Sequence, residues 1–287
     1  MAAVAGVALL AARRLTGRQP PDPITSPDEY GLPYEDVTFL SEDGITLRGW
    51  FMPAVESRGT IIFCAGHSGS MDSDLKYAPA FHRHGYNVLM FDFRAHGRSG
   101  GNLISFGYHE RKDVLAAIRF LKQRGINHVG LLGFSMGAGI AMLSAPLSPA
   151  VRAVVSDSGF ATLDTIMAGG MQDRGIPAPI AGWMGWLILR IVAWRVGRPL
   201  HEAYPIHRVD RIAPRGLFLI HGSRDIYVPE ADARALYERA GEPKDLWIEP
   251  DARHREIDTR AGDAYMTRIL AFFDRFFPCD DKTEGVS

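Results

Sequence analysis

Beyond Glu35 the chain alternates short apolar runs with longer stretches whose apolar residues recur at helical spacing. The opening stretch differs. VTFLSEDGITLRGWFMP alternates apolar and polar side chains on either side of Glu42-Asp43-Gly44, which predicts a β-hairpin. Apolar runs follow at GTIIFCAG (59–66), YNVLMF (86–91), HVGLLGF (128–134), VRAVVSDS (151–158), GLFLIHGS (216–223) and DLWIEP (245–250), each of strand length. The spacing predicts helices over 73–84, 109–124, 136–146, 229–241 and 258–277. In the second of these, Val114, Ala117, Ile118 and Leu121 share one face.

Because the strand runs are continuous rather than alternating, both faces of the sheet are expected to be covered. Such strands separated by helices predict an α/β fold with a mainly parallel central sheet, helices on both faces and an antiparallel N-terminal hairpin. Residues 160–214 separate two strands by far more than a helical crossover and predict a helical lid or cap insertion. Inside it, IPAPIAGWMGWLILRIVAW (176–194) carries Arg190 as its one charge. Two prolines at its start and its place between two strands of one sheet argue against a membrane span. An apolar helix covering a pocket or touching lipid fits better.

The ends are set apart from this pattern. Ala2 to Ala12 is apolar and is followed by Arg13 and Arg14. As a helix it is about 16 Å long, against a bilayer core of roughly 30 Å. No cationic stretch precedes it, as a secretory signal requires. It reads either as the tail of an anchor or as a surface-packed helix. Residues 18–33 are rich in proline and polar side chains and read as a linker. The expected organisation is therefore an N-terminal segment and linker (1–33), one α/β domain with the 160–214 insertion (34–278) and a polar tail (279–287).

Composition narrows the partners. Thirty-two Lys and Arg balance 33 Asp and Glu, so nothing favours nucleic acid. Cys64 and Cys279 match no metal or redox spacing. A cytoplasmic location suits this cysteine usage, with membrane association through the N-terminal segment left open.

In parallel α/β sheets ligands gather beyond the carboxyl ends of the strands. Three polar residues fall there. Ser135 lies in Gly133-Phe134-Ser135-Met136-Gly137, between a strand and a small-residue helix. That G-x-S-x-G pattern exposes a nucleophile on a sharp turn and offers the Met136 amide to an oxyanion. A plain tight turn is the structural alternative. Asp225 follows GLFLIHGS, where it can orient an imidazole or simply cap a turn. His254, in PDARHREID, can bridge a carboxylate and a hydroxyl, or be a surface residue. Asp157, also at a strand end, rivals Asp225 as the acid. The order Ser135, Asp225, His254, each after its own strand, is a stronger signal than any member alone.

These residues, with CAGHSGS (64–70), DFRAHGRSGG (92–101), GFSMGA (133–138) and HGSRDIYVP (221–229), resemble the α/β-hydrolase superfamily in its serine esterase and lipase branch. The resemblance covers about Glu35 to Phe277 and implies the α/β-hydrolase fold. It implies Ser135 as nucleophile, His254 as general base and then acid, and Asp225 as the orienting acid. Asp92, Arg94, Gly97 and Ser99 match a structural loop motif of that superfamily. The oxyanion loop departs from it: Ala65-Gly66 stands where relatives usually show His-Gly. By position the His67 amide is then the second oxyanion donor, its side chain facing the site or solvent. Trp183, Trp186 and Leu187 are the expected lid and pocket residues. The expected reaction is cleavage of a small-molecule carboxylic ester, with lipophilic acyl groups favoured if the lid lines the pocket, and with no metal or organic cofactor. A peptidase or amidase, a thioesterase, and a catalytically silent binding protein on the same fold are the alternatives.

Overall fold

The computed structural model describes residues 2–172 and 175–277, with the side chains of residues 2–4 left aside. The expected polar tail lies outside these residues.

The N-terminal segment forms a helix, α1 (Ala2–Thr16), and the hairpin follows as β1 (Glu35–Leu40) and β2 (Thr46–Met52). In chain order the remaining elements are β3 (Gly59–Cys64), α2 (Ala78–Arg83), β4 (Tyr86–Phe91), α3 (Glu110–Gln123), β5 (Val129–Phe134), α4 (Met136–Ser144) and β6 (Val151–Asp157). Two helices of the insertion come next, α5 (Leu163–Gln172) and α6 (Ala178–Val196). The chain then returns to the sheet through β7 (Gly216–Gly222), α7 (Glu230–Arg239), β8 (Lys244–Glu249), α8 (Ile257–Ala261) and α9 (Asp263–Asp274).

The eight strands make one sheet in the order β1-β2-β4-β3-β5-β6-β7-β8. β2 pairs antiparallel with β1 and with β4, and every later pairing is parallel. β4 and β5 are buried along their whole length, as continuous apolar runs require when helices cover both faces. One apolar cluster packs α3, α4 and α6 on one face (Val114, Ile140, Val192). The other packs α2 and α9 on the opposite face (Phe81, Phe273).

Two predicted helices differ from expectation. The 73–84 helix is a 3₁₀ stretch, Met71–Tyr77, continued by α2. Pro79 lacks the N–H that an uninterrupted α-helix needs there. The last helix breaks at Gly262, where the backbone turns to φ 57°.

The N-terminal segment is a surface-packed helix, built into the domain. Ala8, Ala12 and Thr16, one turn apart, are buried in the contact with α6. Arg195 Nε donates to Thr16 Oγ1 at 2.7 Å, joining the last turns of α1 and α6. The proline-rich stretch after it is also not a free linker. The Gln19 amide donates to the Ala95 carbonyl at 3.0 Å. Asp22 Oδ2 accepts from the Ser70 amide at 2.9 Å, and the Thr25 amide donates to Asp72 Oδ1 at 3.1 Å. Among the described residues no helix is long and apolar enough to cross a membrane.

Candidate active site

Ser135 sits between β5 and α4 with φ 52° and ψ −113°, a conformation that costs a non-glycine residue about 1–3 kcal/mol. The turn is held because the Ser135 amide donates to the Asp157 carbonyl of the neighbouring strand at 2.8 Å. Its flanking residues must be small. A Cβ on Gly137 would run into the carbonyl oxygens of Cys64 and Ala65, and one on Gly133 would lie 2.5 Å from Ala138 Cα.

Asp225 follows β7 and His254 follows β8, and the parallel pairing of these strands brings both to the carboxyl edge beside Ser135. The Ser135 hydroxyl lies 2.9 Å from His254 Nε2, and His254 Nδ1 lies 2.6 Å from Asp225 Oδ2. A carboxylate accepts and does not donate, so Nδ1 carries the proton and Nε2 accepts from the serine. Asp225 Oδ1 takes the amides of Tyr227 and Val228 at 2.9 and 2.8 Å, which fixes the carboxylate plane. The Asp225 side chain is fully buried and the imidazole is 18% exposed. The structure therefore brings together the three residues that the strand-end pattern singled out.

Asp157 is placed elsewhere. Its Oδ2 accepts from the Tyr265 hydroxyl at 2.6 Å and its Oδ1 from the Ser158 hydroxyl at 2.8 Å. Burial, then the Asp157 carboxylate, pushes the Tyr265 phenol up, so it remains a donor.

Arg255, which sequence reasoning passed over, joins this cluster. Its guanidinium donates to Asp74 Oδ1 at 2.7 Å and lies 4.0 Å from the ring centroid of Phe134, the residue before Ser135. Burial opposes its charge, but the carboxylates of Asp74 and Asp157 outweigh burial and raise its pKa above the ordinary arginine value. Burial likewise raises the Asp74 carboxyl, and Arg255 opposes that shift. The residue after the imidazole is thus clamped to the residue before the hydroxyl. The one signal in the sequence was a cation adjoining a candidate histidine. Arg255→Met is expected to cost about 3 kcal/mol of stability, because it strands buried carboxylates. It is also expected to lower kcat more than it alters KM. Thermal unfolding and steady-state kinetics of the purified variant read both.

Met136 and His67 line the same cavity as Ser135. Met136 N begins α4, and His67 N follows Gly66, whose Cα faces the serine: a Cβ built there would lie 3.9 Å from Ser135 Cβ. Neither amide donates a hydrogen bond among the described residues. The His67 side chain is half-buried and lines the cavity beside Ser135. Its Nε2 lies 2.8 Å from the Leu15 carbonyl at the end of α1, and its ring stacks on Phe106 at 5.2 Å. Burial keeps the ring below the ordinary histidine range, so it stays neutral. His96 Nε2 lies 2.8 Å from the His67 carbonyl and steadies the loop from behind.

The hydroxyl opens into a cavity of about 720 Å³. Its walls are mostly apolar: Phe106 and Phe160 from the body, Ile166, Met167 and Met171 from α5, Ile188 from α6, and Ala11 and Leu15 from α1. Arg14 and Gln19 add polar groups. Trp183, Trp186 and Leu187 do not line it, which corrects the pocket expected from sequence. Ala181, Gly185, Ile188 and Val192 form the inward stripe of α6, so Trp183 and Trp186 fall on its outer face. Leu187 packs at the edge of the core. Gly185 lets α5 approach closely, since a Cβ there would lie 3.3 Å from both Met167 Cβ and Met171 Cε. Among the described residues no group of three His, Cys, Asp or Glu side chains could hold a metal ion.

A serine on a strained turn, aligned with an imidazole held by a buried carboxylate above a mainly parallel sheet, is the architecture of an esterase-like hydrolase. The chain belongs to the α/β-hydrolase superfamily. The family model for the alpha/beta hydrolase fold matches residues 59–175. The chain is 31% identical over 251 residues to the uncharacterized protein YqkD of Bacillus subtilis, covering 84% of this chain and 78% of that one. It is 27% identical over 297 residues to the alpha/beta hydrolase domain-containing protein WAV2 of Arabidopsis thaliana, covering 96% and 92%. Among solved structures it is similar to the Pyrococcus furiosus esterase Pf2001, with a TM-score of 0.77 and 27% identity over 91% of this chain and 98% of that one.

Proposed function

We propose that the protein is a serine carboxylesterase acting through an acyl-enzyme. The observation that carries this reading is the continuous relay from the Ser135 hydroxyl through His254 to Asp225, at 2.9 and 2.6 Å. His254 Nε2 takes the serine proton as Oγ attacks the ester carbonyl. The imidazolium that forms is stabilised by the buried Asp225 carboxylate. The amides of Met136 and His67 receive the oxyanion, each worth about 3 kcal/mol of barrier if it acts like known donors of this kind. His254 then protonates the departing alcohol. Water, deprotonated by the same nitrogen, releases the acid and restores the serine.

The test is covalent labelling with a fluorophosphonate probe. Wild type is expected to label at Ser135, and Ser135→Ala to lose the label while keeping its thermal unfolding profile. A folded wild type that fails to label would count against the reading.

The cavity bears on the substrate. Its walls of methionine, isoleucine and phenylalanine favour an apolar acyl chain over an acetyl group. Across a series of p-nitrophenyl esters, kcat/KM is expected to rise by up to roughly fourfold per added methylene until the cavity is filled. Gly185→Val, which forces α5 and α6 apart, is expected to flatten that series. Preference for acetate over octanoate in wild type would contradict it.

A further inference from the structure

The outer face of α6 is not explained by the hydrolase site. Ile180, Trp183, Trp186 and Trp194 lie along one stripe of the helix and are 50, 54, 57 and 76% exposed. Arg190 continues the same stripe. The neighbouring α1 exposes Val7 and Leu10, at 54 and 66%, on the face that also carries Arg13 and Arg14. The inward stripes of both helices are committed to the core and the cavity, so the outward residues are not needed for folding.

The charge of this face is one-sided. The chain as a whole is nearly neutral, yet residues 1–21 and 175–201 contain no Asp or Glu. The same segments hold Arg13, Arg14, Arg18, Arg190, Arg195 and Arg198. Among the described residues no carboxylate pairs with Arg13, Arg14 or Arg190, all of them exposed. Tryptophans flanked by arginines on a helix surface are suited to the headgroup zone of a bilayer, where the ring is half in hydrocarbon and the cation meets phosphate.

We propose that the α1–α6 face docks on the surface of an anionic lipid bilayer and sets the cavity against it, so that the ester substrate is an acyl lipid drawn from that surface. The docking part stands on the exposed face alone; the substrate part rests on the serine-esterase reading. Contact is along the surface, because the opposite side of α6 is buried in the domain and, among the described residues, neither helix is long and apolar enough to cross a membrane. The face does not suit a second copy of the chain. Two-fold pairing would set this cation-only surface against itself, with no acidic residue on either helix to offset the repulsion. Because the cavity wall is made by the inner sides of the same two helices (Leu15 and Ile188), docking places a bilayer next to the site that would use it.

The experiment is flotation of the Ser135→Ala protein with vesicles of phosphatidylcholine alone and of equal parts phosphatidylcholine and phosphatidylglycerol. Binding is expected only to the anionic vesicles, falling as salt is raised. Arg13→Glu with Arg190→Glu is expected to lower partition by about 25-fold or more, on roughly fivefold per arginine. Trp183→Ser with Trp194→Ser is expected to abolish retention at physiological salt. In the Ser135 form, both pairs are expected to lose hydrolysis of an acyl ester lipid embedded in anionic vesicles while retaining turnover of a soluble p-nitrophenyl ester. No flotation with either vesicle overturns the docking proposal, as does equal flotation with both. A concentration-dependent dimer that the tryptophan pair dissolves, without vesicle binding, overturns it in favour of a self-interface. If soluble esters are not hydrolysed, the esterase reading fails, and flotation still decides docking by itself.

Discussion

Replacing Ser135 by alanine is expected to lower kcat on a soluble ester by about 10⁴-fold or more, and His254→Ala by a similar factor. The double variant is expected to be no slower than the worse single one. The two side chains act as one unit: without the hydroxyl there is nothing for Nε2 to deprotonate, and without Nε2 the hydroxyl keeps its proton. Residual turnover should persist in all three variants, because the amides of Met136 and His67 remain. The measurement is steady-state turnover of each variant, with thermal unfolding to confirm the fold. Ser135 bears backbone strain at φ 52°, which alanine inherits, so the fold is expected to hold or weaken slightly. Multiplicative losses in the double variant would mean that the two residues work independently, and the relay would have to be abandoned.

Asp225→Asn is expected to be nearly as damaging, by about 10⁴-fold in kcat, although it changes one atom. The reason is the proton count. Asp225 Oδ1 already accepts the amides of Tyr227 and Val228, so the asparagine oxygen keeps that place and its NH₂ takes the place of Oδ2. An NH₂ opposite Nδ1 turns that nitrogen into an acceptor and moves the ring proton to Nε2. Nε2 then cannot receive the serine proton. Asp157→Asn is the internal comparison. Its carboxylate serves Tyr265 and Ser158, so kcat should stay near wild type while stability falls by about 1–3 kcal/mol. The reverse pattern in kinetics would transfer the acid's role to Asp157.

The histidine loop was half legible. The strand DLWIEP and the histidine after it mark a strand-end residue, and a strand end of a parallel sheet is where chemistry gathers. The device that holds the loop, Arg255 against Phe134 and Asp74, was not readable. It joins residues 181 positions apart, and nothing local in either stretch specifies the other. His67 shows the same limit. Its position beside the serine followed from the glycine before it, whereas its ring is claimed by a carbonyl of α1, a helix whose place in the fold could not be read from its sequence.

The insertion shows how a correct element carries an incorrect face. The helix expected over 176–194 is α6 (Ala178–Val196), and its Ile188 lines the cavity. Being apolar almost all round, its sequence has no phase that marks the inward side. Gly185 settles the matter, because a Cβ there would press on Met167 and Met171 of α5. The large indoles are left outside.

The sequence by itself determined the order of strands and helices, the hairpin that opens the sheet, the elbow at Ser135 and the strand-end positions of Asp225 and His254. These features are local: periodicity of burial, turn chemistry, and small residues where backbones must touch. Only the tertiary structure decided that Asp225 and not Asp157 faces the imidazole, that α1 walls the cavity, and that the α6 tryptophans point away from it. Each of those outcomes depends on which distant surfaces meet when the sheet and its insertion pack, and the spacing of residues along one segment does not encode the partner that will cover it.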